Sequence, residues 1–141
     1  MKRAISGSRS LVTGASGGIG RAIARELGRQ GSSVLLVARR AAALEQLAAE
    51  IRSAGGRAEL VVGDVTEAAI RRAALDRARD AFGGLDILVN NAGRGAMGRF
   101  AEASPERLRQ VFELNFFAAV ELIREALPLL QQGRQPIVVN I

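Results

Sequence analysis

Short apolar runs alternate along this chain with longer segments whose apolar residues recur every three or four positions. Ser10-Leu11-Val12-Thr13 is a short run that ends at a glycine turn. Residues 18–30 carry Ile19, Ile23 and Leu27 at i, i+4 and i+8, the spacing of one helix face, and Gly31 stops them. Residues 33–38 (Ser-Val-Leu-Leu-Val-Ala) are almost continuously apolar, the pattern of a strand covered on both faces. Residues 41–54 place Leu44, Leu47 and Ile51 on one helical stripe and end at Gly55-Gly56. The pattern then predicts a third strand over 58–62, a third helix over 67–82 closed by Gly83-Gly84, and a fourth strand over 85–90. A glycine-rich loop follows over 93–98. Ser104-Pro105-Glu106 opens a long helix, with serine suited to the N-cap and proline to the first helical position. That helix is predicted to reach residue 131, and after Gly133 and Pro136 residues 136–141 form a fifth strand.

Five strands alternating with four helices imply βαβ units and a parallel α/β sheet. Right-handed crossovers put helices on both faces, a doubly wound arrangement. Ligands of such sheets bind at the carboxyl ends of the strands, near the switch point. With 141 residues and no linker, repeat or low-complexity segment, the chain reads as a single domain over 1–141.

Composition narrows the chemistry. Apolar residues make up 48% and charged residues 24%, which is globular composition. Cysteine and histidine are both absent, so thiolate nucleophiles, Ser-His-Asp triads and Cys- or His-ligated metals are excluded, and no metal site is expected. Tyrosine and tryptophan are missing too, and the sole lysine is Lys2. The net charge of +6 is almost all arginine, spread along the chain and paired only at Arg39-Arg40 and Arg71-Arg72. Nucleic-acid binders cluster basic residues and interleave aromatics, whereas Phe82, Phe112, Phe116 and Phe117 lie in apolar helical settings here. Solvated arginine-rich helix faces are the expectation, and no nucleic-acid partner. No apolar stretch follows Met1-Lys2-Arg3, and 111–130 is interrupted by Glu113, Asn115, Glu121, Arg124 and Glu125. Neither a secretory signal nor a membrane span is expected, which leaves the cytoplasm as the default compartment.

Every chemically suggestive motif falls at a predicted strand end. Between the first strand and helix stands Thr13-Gly14-Ala15-Ser16-Gly17-Gly18-Ile19-Gly20. Gly14 permits a tight turn out of the strand, Gly18 lets backbone approach a pyrophosphate, and Gly20 lets the helix pack closely. The helix N-terminus offers free N–H groups and partial positive charge to phosphate. A purely structural glycine turn is the alternative. A P-loop is excluded, because no Gly-Lys-Ser/Thr follows. At the end of the second strand, where NAD-preferring sites place an acid, stand Ala38 and Arg39-Arg40. No carboxylate would repel a 2′-phosphate, so NADP(H) preference is expected, with Arg39 the favoured contact and Ser16 supplying a hydroxyl. A solvated arginine pair is the alternative.

The Gly-x-x-x-Gly-x-Gly spacing resembles that of the short-chain dehydrogenase/reductase family. Asn90-Asn91-Ala92-Gly93 after the fourth strand, Asp64-Val65 after the third and Asn115 in the long helix extend the resemblance over essentially the whole chain. It implies a Rossmann-like doubly wound sheet of strand order 3-2-1-4-5 and a nicotinamide cofactor held by Gly14, Ser16, Gly17, Gly18, Ile19, Gly20, Arg39, Arg40, Asp64, Val65, Asn90, Ala92 and Gly93. By the same resemblance Asp64 accepts from the adenine amino group and Val65 lines that pocket. Asn90, Ala92 and Gly93 pass beside the cofactor's ribose, and Asn90 also ties its loop down. The resemblance gives Asn115 the catalytic task of holding a water and a backbone kink in a proton relay. Capping the next helix is the alternative for Asp64; an amide satisfied within helix packing is the alternative for Asn115. The long helix over 104–131 is apolar on more than one side, and the family's corresponding helix joins a dimer interface, so a homo-oligomer is expected, with ordinary core packing as the other reading.

The family reduces a carbonyl or oxidises an alcohol of a small molecule, using a tyrosine, a lysine four residues later and a serine. None stands here in such a position, and the serine would be expected just past Asn140-Ile141. The chain is therefore expected to be the cofactor-binding N-terminal part of an NADP(H)-dependent oxidoreductase, its sheet cut after the fifth strand, inactive alone. A non-catalytic dinucleotide-binding or oligomerisation module is the competing reading.

Overall fold

A computed structural model describes residues 4–141; the basic Met1-Lys2-Arg3 start lies outside the described residues. Five strands form one sheet: β1 (Arg9–Thr13), β2 (Ser33–Ala38), β3 (Arg57–Val62), β4 (Ile87–Asn90) and β5 (Ile137–Asn140). Their order is β3-β2-β1-β4-β5 and every neighbouring pair is parallel. This is the Rossmann-like arrangement expected. The predicted start of β4 at Leu85 moves to Ile87, although the Asp86 backbone already donates to the Arg9 carbonyl and accepts from the Ile137 N–H.

Helices α1 (Gly18–Arg29) and α2 (Ala41–Ser53) cover one face; α3 (Ala68–Phe82) and α5 (Ala118–Gln131) cover the other. The strands divide their side chains between the two cores with a period of two. Leu11, Leu35, Val37 and Leu88 point towards α3 and α5, where they meet Leu75, Ala78, Leu122 and Leu130. Val12, Val34, Leu36, Ile87 and Val89 point towards α1 and α2, where they meet Ala24, Leu44, Leu47 and Ile51. Burial on both faces explains why β2 reads as an unbroken apolar run. Each fully buried leucine contributes roughly 1.5–3 kcal/mol.

Helix α1 packs through Ile23 and Leu27 of the stripe expected, but not through Ile19. Ile19 is exposed, Ile23 and Leu27 are half-buried, and the buried line is Gly20, Ala24 and Gly28. Small residues there let the helix come close: a Cβ on Gly28 would stand 2.8 Å from Ile51 Cγ2 of α2. Ile19 lies in the first turn, beyond the packed part of the sheet.

The long helix has the start that Ser104 predicts, its side chain accepting from the Arg107 N–H at 3.2 Å. It is divided, however, into α4 (Pro105–Phe112), a π-helical turn (Glu113–Phe117) and α5. A short 3₁₀ turn, Phe100–Glu102, precedes it in the loop. Phe112, Phe116 and Phe117 are exposed rather than packed. Among the described residues no helix is long and apolar enough to cross a membrane.

Candidate functional site

The direction of winding reverses between β1 and β4, and the loops leaving those strands meet in the crevice between them. Thr13, the last residue of β1, is the junction. Its Oγ1 accepts from the backbone N–H of Asn91 and of Ala92, both at 3.0 Å, and donates to Val89 O at 3.4 Å. The Asn91 amide donates to the carbonyls of Thr13 and Gly14 at 3.1 and 3.3 Å. Asn91 therefore ties the loop, the part expected of Asn90. Asn90 instead donates across the sheet to Asn140 Oδ1 at 3.0 Å. Neither Thr13 nor Asn91 had a role in the sequence reading, although a polar residue closing a buried apolar strand is the available signal for the first.

The glycine turn follows from crowding. Gly14 has φ +66°, and a Cβ there would stand 2.8 Å from Asn91 Nδ2 and 2.9 Å from Ala92 Cα. Gly20 abuts both the Asn91 side chain just past β4 and the Gly14 carbonyl just past β1, so its missing Cβ lets the helix start close over the strand ends. Gly18 is different. Its φ is +53° and the space above it is open. The first bond of helical spacing runs from Arg21 N to Gly17 O, which leaves the Gly18, Ile19 and Gly20 N–H groups ahead of the ladder. The turn thus presents open backbone and a helix N-terminus to the crevice, a fit for a phosphate.

A groove of about 450 Å³ lies over this turn. Gly14, Ser16, Gly17, Gly18, Arg39, Arg40, Asp64, Val65, Ala92 and Gly93 line it, together with Ala38, Gly63, Asn91 and Leu114, which had no assigned part. Ile19 and Gly20 lie outside the lining, the one exposed and the other buried under the turn. Asn90 and Asn115 line an adjoining hollow of about 300 Å³ that shares Ala92 and Gly93 with the groove.

The arginine pair divides its work. Arg40 Nε donates to Ser16 Oγ at 3.2 Å and its Nη2 to the Ser16 carbonyl at 3.1 Å, so Arg40 folds over the glycine turn. Arg39 reaches the opposite wall, with Nη1 3.8 Å from Asp64 Oδ2. That contact is long and exposed, and leaves most of its guanidinium donors free for a ligand. Asp64 does not cap the next helix. Its Oδ1 accepts from the N–H and the hydroxyl of Thr66 at 3.0 and 2.9 Å, closing a turn ahead of α3, whose N-cap is Glu67.

Asn115 sits at the middle of the π-helical turn, where the resemblance implied a backbone kink. It is exposed rather than buried, and its amide is satisfied outside its own helix. Oδ1 accepts from the Arg94 N–H at 2.9 Å and Nδ2 donates to the Arg94 carbonyl at 3.0 Å. Gly93 lies against it, since a Cβ there would stand 3.3 Å from Asn115 Oδ1.

Comparison with known proteins agrees with this geometry. A family model described as short chain dehydrogenase matches residues 9–141. The ketoacyl reductase HetN of Nostoc sp. is 36% identical over 137 residues, 97% of this chain and 48% of the relative. The short chain dehydrogenase/reductase AacuN of Aspergillus aculeatus is 40% identical, over 96% of this chain and 52% of its own length. Among solved structures, the L-sorbose reductase of Gluconobacter frateurii, complexed with NADPH and L-sorbose, superposes with a TM-score of 0.92 at 35% identity, covering 99% of this chain and 54% of that one. A short chain dehydrogenase of Burkholderia cenocepacia in complex with NADP gives 0.90 at 34% identity, covering 98% and 56%. The chain spans about half the length of these relatives.

Proposed function

This chain belongs to the short chain dehydrogenase family, and from that premise we propose that it is the cofactor-binding part of an NADP(H)-dependent oxidoreductase acting on a small carbonyl or alcohol substrate in the cytoplasm. The observation that carries this reading is the wall at the end of β2. Arg39, Arg40 and Ser16 flank the groove there, and Ala38 stands where a carboxylate would disfavour a 2′-phosphate. The NADPH and NADP complexes of the two structural neighbours support the same cofactor.

On this reading the bound cofactor supplies or accepts a hydride at the substrate carbon. The chain's own residues bind and orient. Gly14, Gly17, Gly18, Ile19 and Gly20 offer backbone and a helix N-terminus to the diphosphate. Arg39 pairs with the 2′-phosphate, and Arg40 holds Ser16 beside it. Asp64 and Val65 take the adenine, and Asn90, Ala92 and Gly93 pass beside the ribose. Asn115 contributes by fixing the Gly93–Arg94 backbone from the π-helical turn. In the family that this chain resembles a tyrosine moves the proton, and tyrosine is absent from these 141 residues. The chain alone is expected to bind dinucleotide weakly at best and not to turn over, and the reaction belongs to the complete protein.

Calorimetric titration with NADPH and NADH tests the assignment. A charge-assisted hydrogen bond contributes roughly 1.5–3 kcal/mol, or about ten- to hundred-fold in affinity. NADPH is expected to bind tighter by that factor, and Arg39→Asp to reverse the preference. An unchanged NADPH:NADH ratio in the variant would reject the role given to Arg39.

A further inference from the structure

Arg71 reads as half of a solvated arginine pair, yet only 6% of its surface is exposed. It rises from the first turn of α3 and holds three things at once. Its Nη1 donates to the Val65 carbonyl at 3.0 Å and to the Thr66 carbonyl at 2.9 Å. Its Nε and Nη2 donate to Glu125 Oε1 of α5 at 3.2 and 3.1 Å. The two carbonyls belong to the loop that follows β3, an edge strand paired only with β2. That loop has Gly63, Asp64 and Val65 on the groove side. Arg71 lies behind it, bonded to the Val65 carbonyl, and does not itself line the groove.

We infer that Arg71, braced by Glu125, is a positioning residue that sets the Asp64–Val65 wall of the groove and so fixes affinity for the adenine half of the cofactor. A buried guanidinium that donates to three partners at once holds them in one geometry, because breaking it strands a buried charge or two backbone carbonyls. Without this brace the edge loop keeps the Gly63 N–H bond to the Ala38 carbonyl, the Glu67 N–H bond to the Asp64 carbonyl, the Asp64–Thr66 turn and Val65 in the core, but loses its tie to α5.

The inference rests on the adenine-side reading of Asp64 and Val65, and the experiment separates the two. Adenosine 2′,5′-bisphosphate and nicotinamide mononucleotide are titrated into the wild-type protein, Arg71→Met, Glu125→Ala, and Leu130→Val. Leu130 lies in the same core at the far end of α5 and serves as the stability control, with Leu130→Ala where a larger loss is needed to match melting temperatures. Glu125 is partly exposed, so its variant remains informative should Arg71→Met fail to fold. The expected result is a weakening of about tenfold for the bisphosphate in both clamp variants, no change for the mononucleotide, and no weakening in the matched control. If the clamp variants bind the bisphosphate as wild type does, or weaken only as far as the control, Arg71 is structural and the inference is wrong while the cofactor reading stands. If the wild-type protein binds neither NADPH nor the bisphosphate, the cofactor reading fails and takes this inference with it.

Discussion

Asp86 has a fully buried side chain at the foot of the sheet, where burial alone would favour its neutral form. Against that burial, Arg9 donates through Nε and Nη2 at 2.8 and 2.7 Å and through its backbone at 2.9 Å, and the Arg134 N–H adds a further bond. The donors prevail and hold the carboxyl at about 2, below its ordinary 3.8. A folded-state pKa below the unfolded one means that the stabilisation is complete above about pH 4. It is lost as the pH falls through about 2. The displacement corresponds to about 2–3 kcal/mol. Asp86→Asn should lower unfolding stability by about that amount at pH 7, and urea melts should show the gap to wild type closing between pH 4 and pH 2. A gap independent of pH would mean that the charge contributes nothing. Buried charges of this kind are where the sequence was least legible. Arg71 and its partner Glu125 lie 54 positions apart, and nothing local separates Arg71 from its solvated neighbour Arg72. Gly14, Gly18, Arg39 and Asp64 were legible because their surroundings are set by adjacent strand ends.

At the scale of elements, hydrophobic period fixed what packs, and small residues and polar crossings escaped it. The strands and α2 follow their apolar pattern almost residue for residue. Helix α1 follows it at Ile23 and Leu27 but not at Ile19, and its most buried line is the small residues Gly20, Ala24 and Gly28, of which Gly20 abuts the glycine turn and Gly28 abuts Ile51 of α2. The π-helical turn was legible only as an asparagine out of place among Leu114, Phe116 and Phe117. Its cause is tertiary, since the turn brings Asn115 to the Arg94 backbone. Asn115→Ala removes both of those bonds and leaves two backbone groups of an exposed loop to water. Water can satisfy them, so the cost to global stability should be small, about 1 kcal/mol. The local effect should be larger. Hydrogen exchange at the Arg94 amide is expected to accelerate by tenfold or so, the kinetic equivalent of about 1.4 kcal/mol, while amides of β1 and β4 keep their protection. Equal acceleration throughout the sheet would instead make Asn115 a part of the global core.

On the scale of the whole molecule, the two faces of the sheet are unequally finished. Helices α1 and α2 close one side, with Leu44, Leu47 and Ile51 all buried. On the other side α5 sends Leu122, Ala126 and Leu130 inward, yet Val120 and Leu127 remain exposed on its outer surface. Phe112, Phe116 and Phe117 extend that apolar strip along α4 and the π-helical turn at 60%, 54% and 51% exposure, with Phe116 and Phe117 in an edge-to-face pair 5.3 Å apart. A continuous apolar strip of this kind marks an interaction surface more often than a solvated one. The homo-oligomer expected from the helix pattern would cover it, two copies of the strip meeting about a twofold axis so that each phenylalanine faces its counterpart's neighbours. Phe117 is exposed and lies outside both the groove and the Arg71–Glu125 brace. Phe117→Arg would set a guanidinium on each copy against an apolar surface. Sedimentation of the complete protein should then show the wild type as a dimer or larger and the variant as a monomer, with the affinity for adenosine 2′,5′-bisphosphate unchanged. A wild-type protein that sediments as a monomer at all concentrations would leave the strip to ordinary solvent exposure and remove the interface from the account of this fold.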